Sequence, residues 1–363
     1  MIKLNLTGRL FNTIVVLSIF ICISFSAAYA QSKDVPLSSQ ELVKLLYQLP
    51  KQPEKKDEVV EAIRRRGLGF PLTEGMLGIA ASKSGNDATI RRALQEAERR
   101  RVNPVTAALP SEAEALDLLA RTRTATHAAT EAMPDFVVKQ LVSRAYALGR
   151  TNNWISLDRL TIAVSFRASA GEEYKVLAIN GAPPNKEAPE ADNYSQQVGG
   201  STSAGEFAST LALTFEEDRK TTFKMVDTDM IKDRSALIYQ YQVEQEPSRL
   251  SVNIGELKGI VAYHGRIWID RELNRVLRFE IIIDPPEKFR SISASQLIDY
   301  DWVTIADQKY LLPVAADVRI TSPERAEVVT TRNLIRFHGY QKYGTDVKII
   351  EEDIVEDPPE QKP

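Results

Sequence analysis

The chain is poor in the residues that build metal centres and covalent nucleophiles. Its 363 residues include one cysteine, Cys22, and three histidines, His127, His264 and His338. Structural zinc sites draw on Cys and His ligands, so a Cys-rich site is excluded and a three-His site would need every histidine in the chain. No disulfide can form within it. Charge of one sign is lacking too: 46 Lys+Arg stand against 49 Asp+Glu, a net charge of −3. That gives no general case for binding nucleic acid. Hydrophobic residues are 43% and charged residues 26%, which excludes a polytopic membrane protein, a collagen-like chain and a wholly disordered one.

Catalytic signatures are missing as well. No G-x-S-x-G occurs, and none of the histidines has a Ser and an Asp at a readable spacing. The Gly/Ser loop at 199–205 lacks the lysine of a phosphate-binding loop. Asp299, Asp301 and Asp307 form the nearest thing to a carboxylate cluster, and they read as a solvated strand face. No catalytic residue, metal or cofactor is assigned, and the chain reads as a non-enzyme.

What is present begins with an address. Lys3 and Arg9 precede a nearly unbroken apolar run at 13–25, and Ala28-Tyr29-Ala30 forms an A-x-A cleavage site before Gln31. Residues 1–30 therefore read as a signal peptide cleaved near Ala30, with an uncleaved anchor as the alternative. Ile21 and Ile23 flank Cys22, which argues against lipidation there. The expected location is the periplasm or cell envelope, an oxidising compartment that a thiol-free mature chain suits.

Residues 31–101 read as a small helical domain. Ser39 is placed to cap a helix carrying Leu42, Leu45, Leu46 and Leu49 at helical spacing. Pro53 opens a second helix with Val59, Val60 and Ile63, and Gly67 stops it. Thr73 and Asn86 or Asp87 cap two more. The region is basic, with 14 Lys/Arg against 10 Asp/Glu over 31–110. Arg64-Arg65-Arg66 and Arg99-Arg100-Arg101 are candidates for docking on an anionic membrane surface or an acidic envelope protein. The alternative is a solvated helix face balanced by Glu61, Glu96 and Glu98 through i,i+3 pairs. Residues 102–110, with Pro104 and Pro110, read as a linker.

From Ser111 a longer helix runs towards Met133; Pro134 interrupts it, and Phe136, Val137, Leu141, Val142 and Tyr146 read as a second helix. After Trp154 the apolar period falls to two. Leu160, Ile162, Val164 and Phe166 share a face, as do Leu237, Tyr239, Tyr241 and Val243. A hairpin joins Ile267–Asp270 to a return strand with Leu277, Phe279, Ile281 and Ile283 on one side. Leu312, Val314, Ala316 and Val318 mark another strand. Strands follow strands without long helical crossovers, so the fold class is α+β. The expected architecture is a small helical bundle followed by a curved antiparallel sheet, an incomplete barrel covered by helices, over 111–350. Residues 351–363 are acidic and Pro-rich, hence a disordered tail.

Several stretches together resemble a family of bacterial envelope proteins whose sheet domain is similar to the outer-membrane lipoprotein-sorting (LolA/LolB-like) fold. They are Ala132-Met133-Pro134-Asp135-Phe136, Gly205-Glu206-Phe207-Ala208, Gly265-Arg266-Ile267-Trp268-Ile269-Asp270, Arg275-Val276-Leu277-Arg278, Asp299-Tyr300-Asp301 with Tyr310-Leu311-Leu312-Pro313, and Asn333-Leu334-Ile335-Arg336-Phe337-His338-Gly339-Tyr340. The resemblance implies an apolar cavity that holds lipid or lipoprotein acyl chains. On the residues themselves, Leu160, Ile162, Val164, Leu277, Phe279, Ile281, Leu312 and Val314 are candidates to line it. The alternative is a filled core with no cavity, the frame of a protein–protein interaction module.

Overall fold

In the computed structural model of the protein, the described residues are 35–105, 107–149, 153–184, 198, 207, 209–324 and 327–344. The signal segment with its cleavage site, the Gly/Ser loop at 199–205 and the acidic tail lie outside them. The chain divides into two compact units, Met1–Ala108 and Leu109–Pro363.

Among its described residues the first unit holds four α-helices: α1 (Ser39–Gln48), α2 (Lys56–Arg66), α3 (Glu74–Ser84) and α4 (Ala88–Val102). The cap of α1 is Ser38, one residue earlier than Ser39. Its hydroxyl accepts from the Glu41 amide while Glu41 reaches back to the Ser38 amide, a reciprocal box that only this register allows. Asp87, not Asn86, caps α4 by accepting from the Thr89 and Ile90 amides. One apolar core joins the helices around Leu42, Leu46, Ile63, Ile90 and Leu94.

The second unit is an antiparallel sheet with helices on one face. Ten strands follow the order β3-β2-β1-β12-β11-β10-β9-β8-β5-β4, and a separate hairpin pairs β6 with β7. The order ends on β3 (Gly171–Ile179) and β4 (Thr222–Ile231), so the sheet does not close. The strands used below are β1 (Phe136–Leu148), β2 (Ile155–Arg167), β5 (Arg234–Val243), β8 (Ala262–Asp270), β9 (Val276–Asp284), β10 (Ser293–Ile305), β11 (Gln308–Glu324) and β12 (Glu327–Lys342). Helix α5 (Glu112–Glu131) and the short α6 (Ser209–Phe215) place Ala115, Leu118, Leu211 and Phe215 in the sheet's main core.

One expectation fails. Residues 136–148 form strand β1, not a second covering helix. Phe136, Val138, Gln140 and Val142 are buried on alternate positions, a period of two that the apolar count at 136, 137, 141, 142 and 146 hid. Val137, Val138 and Val142 are β-branched and favour extended backbone. The strand pairs with both β2 and β12, so tertiary pairing decides the matter. The sheet's outer face also differs from a purely polar surface. Trp268 lies there, as its phase predicts, but only 3% exposed, packed with Ala236 and Ile238. Arg266 and Arg278 stack over its ring and its indole donates to Asp229 at 2.9 Å.

Gly265 on β8 is required by close approach: a Cβ built there would stand 2.0 Å from the Glu280 carbonyl oxygen.

Candidate ligand cavity

The middle of the covered face is filled. Phe279 of β9 is fully buried and stacks on Tyr241 of β5 at 5.5 Å, and Tyr241 meets Tyr263 edge-on at 5.9 Å. The hydroxyl of Tyr241 donates to the Glu280 carbonyl at 2.8 Å, and that of Tyr239 to the Ala115 carbonyl of α5 at 2.7 Å. Burial pushes both phenols above the ordinary tyrosine value, so they stay neutral donors. Arg271 pins the start of α5 through Glu114 at 2.6 Å.

Towards the C-terminal end of α5 the packing opens into a cavity of about 290 Å³. One wall is α5 and the turn after it, with Thr126, Ala128, Ala129, Thr130, Ala132 and Met133. Phe207 and, on α6, Leu211 form a second wall. The sheet side is Arg275 just before β9, Val276 at its start, β10 (Tyr300, Trp302) and the start of β11 (Lys309 to Leu312). The size follows from side-chain volume. Where α5 faces the filled middle it carries Leu118; where it faces the cavity it carries only alanine and threonine. The lining is apolar, with Trp302 44% exposed, and none of the lining residues is Asp or Glu.

Of the eight residues named from the sequence as candidate lining, Leu312 alone is among those around this cavity. Leu160, Ile162, Val164, Phe279 and Ile281 lie in the main core. Leu277 is buried beside the bulge between Trp268 and Ile269, where Val276 takes the core position. Val314 is half-buried, at the β11 position skipped by the bulge between Asp299 and Tyr300. The residues that sequence reasoning missed are the small ones of α5, the rim side chains Trp302 and Lys309, and Arg275. The run Ala125-Thr126-His127-Ala128-Ala129-Thr130 was the available signal.

The carboxylates on β10 do not form a shared site. Asp299 takes Arg278 at 2.5 Å, and Asp301 takes Lys232. Burial raises the Asp301 pKa, but Lys232 and the Trp302 amide outweigh it and hold the carboxyl below its ordinary value. Among the described residues no group of His, Cys, Asp and Glu is arranged to hold a metal ion. His264 lies beside Asp284 at 2.8 Å, both partly exposed.

The basic runs of the first unit are largely paired. Arg64 takes Glu61 at 2.6 Å, Arg99 takes Glu96 at 2.7 Å, and Arg101 takes Glu98 at 2.7 Å, each at i,i+3. Arg66 donates to the Val35 carbonyl and to Glu41. Arg65 is exposed and Arg100 half-buried.

A different buried ion pair escaped the sequence. Arg144, 4% exposed, turns onto the core side of β1 and forks onto Asp158 of β2 at 2.6 and 2.5 Å, with a third bond to the Val198 carbonyl.

No family model matches the chain, and no curated protein matches it. Among solved structures it is similar to a domain described as outer membrane lipoprotein-sorting from Vibrio parahaemolyticus, at 9% identity and a TM-score of 0.26, covering 64% of this chain and 94% of that one. It is similar to a DUF1329 family protein from Desulfovibrio piger, at 8% identity and a TM-score of 0.24, covering 64% and 92%. A third likeness is to the complex of MucA and MucB from Pseudomonas aeruginosa, at 8% identity and a TM-score of 0.16, covering 62% and 94%. Such low scores carry no argument about function. Among the described residues no helix is long and apolar enough to cross a membrane.

Proposed function

We propose that the chain is an exported, non-enzymatic binding protein of the bacterial envelope that holds an acyl chain in the cavity between α5, α6 and strands β9–β11. One observation carries the reading: an open hollow of about 290 Å³, lined mostly by apolar side chains, beside a core packed around Tyr241 and Phe279. Empty apolar space has a cost, because the side chains around it lose contacts that a ligand restores. An alkyl chain gains about 0.8 kcal/mol per buried methylene, and the cavity offers nothing that would act on it chemically. The N-terminal signal and the thiol-free mature sequence support placement in the envelope.

The test is a fatty-acid fluorescence titration of the purified protein, with mass spectrometry of organic extracts from protein isolated out of its native envelope. Saturable uptake, weakened about tenfold when the cavity is partly filled by Ala129→Leu, is expected. Failure of every alkyl probe would overturn the carrier reading and leave an interaction module, which the filled middle of the core suits.

A further inference from the structure

We infer that the cavity selects a ligand with one alkyl chain and an anionic head, the head held by Arg275 and Lys309. The inference rests on the acyl-binding reading and adds the chemistry of the head. The volume sets the chain count. At about 290 Å³ the hollow is at the small end of ligand pockets, which run from about 300 to 1,000 Å³; it suits a single chain better than the several of a larger lipid.

The charge sets the head. Many arginines of the sheet unit are matched by acid, among them Arg144 with Asp158, Arg266 with Glu280, Arg271 with Glu114, Arg278 with Asp299 and Arg332 with Asp317. Arg275 is not one of these. It lines the cavity, is half-buried, and has one long bond of 3.4 Å to the Asn274 carbonyl. Lys309, on the same sheet side at the start of β11, is exposed. Among the described residues neither has a carboxylate within ion-pair distance, and no acid is among the residues that line the cavity. Two unmatched cations on an apolar hollow attract an anion whose tail goes inside. Partial burial strengthens that attraction relative to open water. A planar guanidinium can grip a carboxylate or a phosphate with two bonds, and an ammonium serves as a point charge beside it.

The experiment measures four probes that share a dodecyl chain: dodecanoate, dodecyl phosphate, dodecanol and dodecyltrimethylammonium. Both anions are expected to bind about tenfold more tightly than the alcohol, equivalent to about 1.4 kcal/mol, with the ammonium weakest. The preference should shrink when salt is raised from about 0.1 M to about 1 M, because the Debye length falls from about 10 Å to about 3 Å. A stronger carboxylate would point to free fatty acids, and a stronger phosphate to phosphate-headed lipids; either supports the inference. Arg275→Gln with Lys309→Gln should erase the preference while dodecanol affinity and the melting temperature stay as they were. Single Arg275→Gln should lose part of it. If dodecanol binds as tightly as the anions, or the double variant keeps the preference, the head assignment is overturned while acyl binding stands. If none of the four binds, both readings fall together.

Discussion

One helix and one sheet make two kinds of packing. In its first half α5 sets Ala115 and Leu118 against a sheet face already dense with Tyr239, Tyr241 and Phe279. In its second half the same helix offers Thr126, Ala128 and Ala129 to Val276, Tyr300 and Leu312, and a hollow is left. The strands do not differ in kind between the two ends; the side-chain volume on the helix does. Interiors pack to near-crystal density when the facing volumes match, so a run of alanine and threonine opposite a wide sheet face leaves space. The sequence writes its cavity in what α5 omits.

Charge follows the same division. In the helical unit each glutamate three residues before an arginine neutralises it, as in Glu61–Arg64, Glu96–Arg99 and Glu98–Arg101. At the cavity, no ion pair holds Arg275 or Lys309 among the described residues: Glu272, three residues before Arg275, pairs with Arg234 instead.

The largest effect should come from breaking the filled half. Phe279→Ala removes a fully buried ring stacked on Tyr241 and should cost about 3–5 kcal/mol, read by chemical denaturation. Leu312→Ala, at the hollow, should fall near the bottom of the leucine range of about 2–5 kcal/mol, because its side chain has fewer partners to lose. Equal losses at the two sites would mean that the hollow is closed in solution. Gly265→Ala belongs with the large effects, since its new Cβ meets backbone, not a movable side chain.

The next effect tests the paired charges. The Glu96 side chain is 4% exposed and holds Arg99. Glu96→Gln keeps the volume but leaves the guanidinium with a neutral partner, an expected loss of about 1.5–3 kcal/mol in the helical unit. Replacing both members, Glu96→Met with Arg99→Met, should cost much less, since exchanging such a pair for apolar groups is often neutral. An equal loss would show that Arg99 has a second role, which would weaken the contrast with the cavity.

A smaller effect fills the cavity. Ala129 is exposed and lines it, so Ala129→Leu should leave stability within about 0.5 kcal/mol and reduce alkyl-probe affinity about tenfold, near 1.4 kcal/mol. Unchanged affinity would place the bound chain elsewhere.

Much of this was legible in advance. The alternation at Leu160, Ile162 and Val164 and in the return strand gives the antiparallel sheet, and the caps at Thr73, Asp87 and Ser111 give the helices. Strand β1 was not legible, because Gln140 and Arg144 occupy core-facing positions and break the apolar alternation. Only their neighbours across the sheet explain them: Arg144 is matched by Asp158, three residues into β2. The lining of this cavity was not legible for a related reason. Alternation says which side chains face inward, but not whether anything large enough faces them. Phe279 and Leu312 look alike in sequence; Tyr241 fills the space beside one and Ala129 does not fill the space beside the other.

The smallest effect concerns a surface charge in the helical unit. Glu41 is fixed by the Ser38 amide, then by Arg66 and the Ser38 hydroxyl, and its pKa falls from 4.5 to about 2. A carboxyl depressed in the folded state contributes stability that is fully present above its unfolded value and lost as pH falls through its folded one. The contribution should therefore be complete above about pH 5 and fade between 4.5 and about 2. Glu41→Gln removes that titration. Wild type and variant should differ at neutral pH and converge at the acid end of the window, measured as the difference between their melting temperatures. The group is at the surface, so the difference should also shrink with salt. If the two proteins differ by the same amount at every pH, the capping box contributes by geometry alone, and the helical unit's self-paired charge matters less to its stability than its core of Leu42, Leu46 and Ile63.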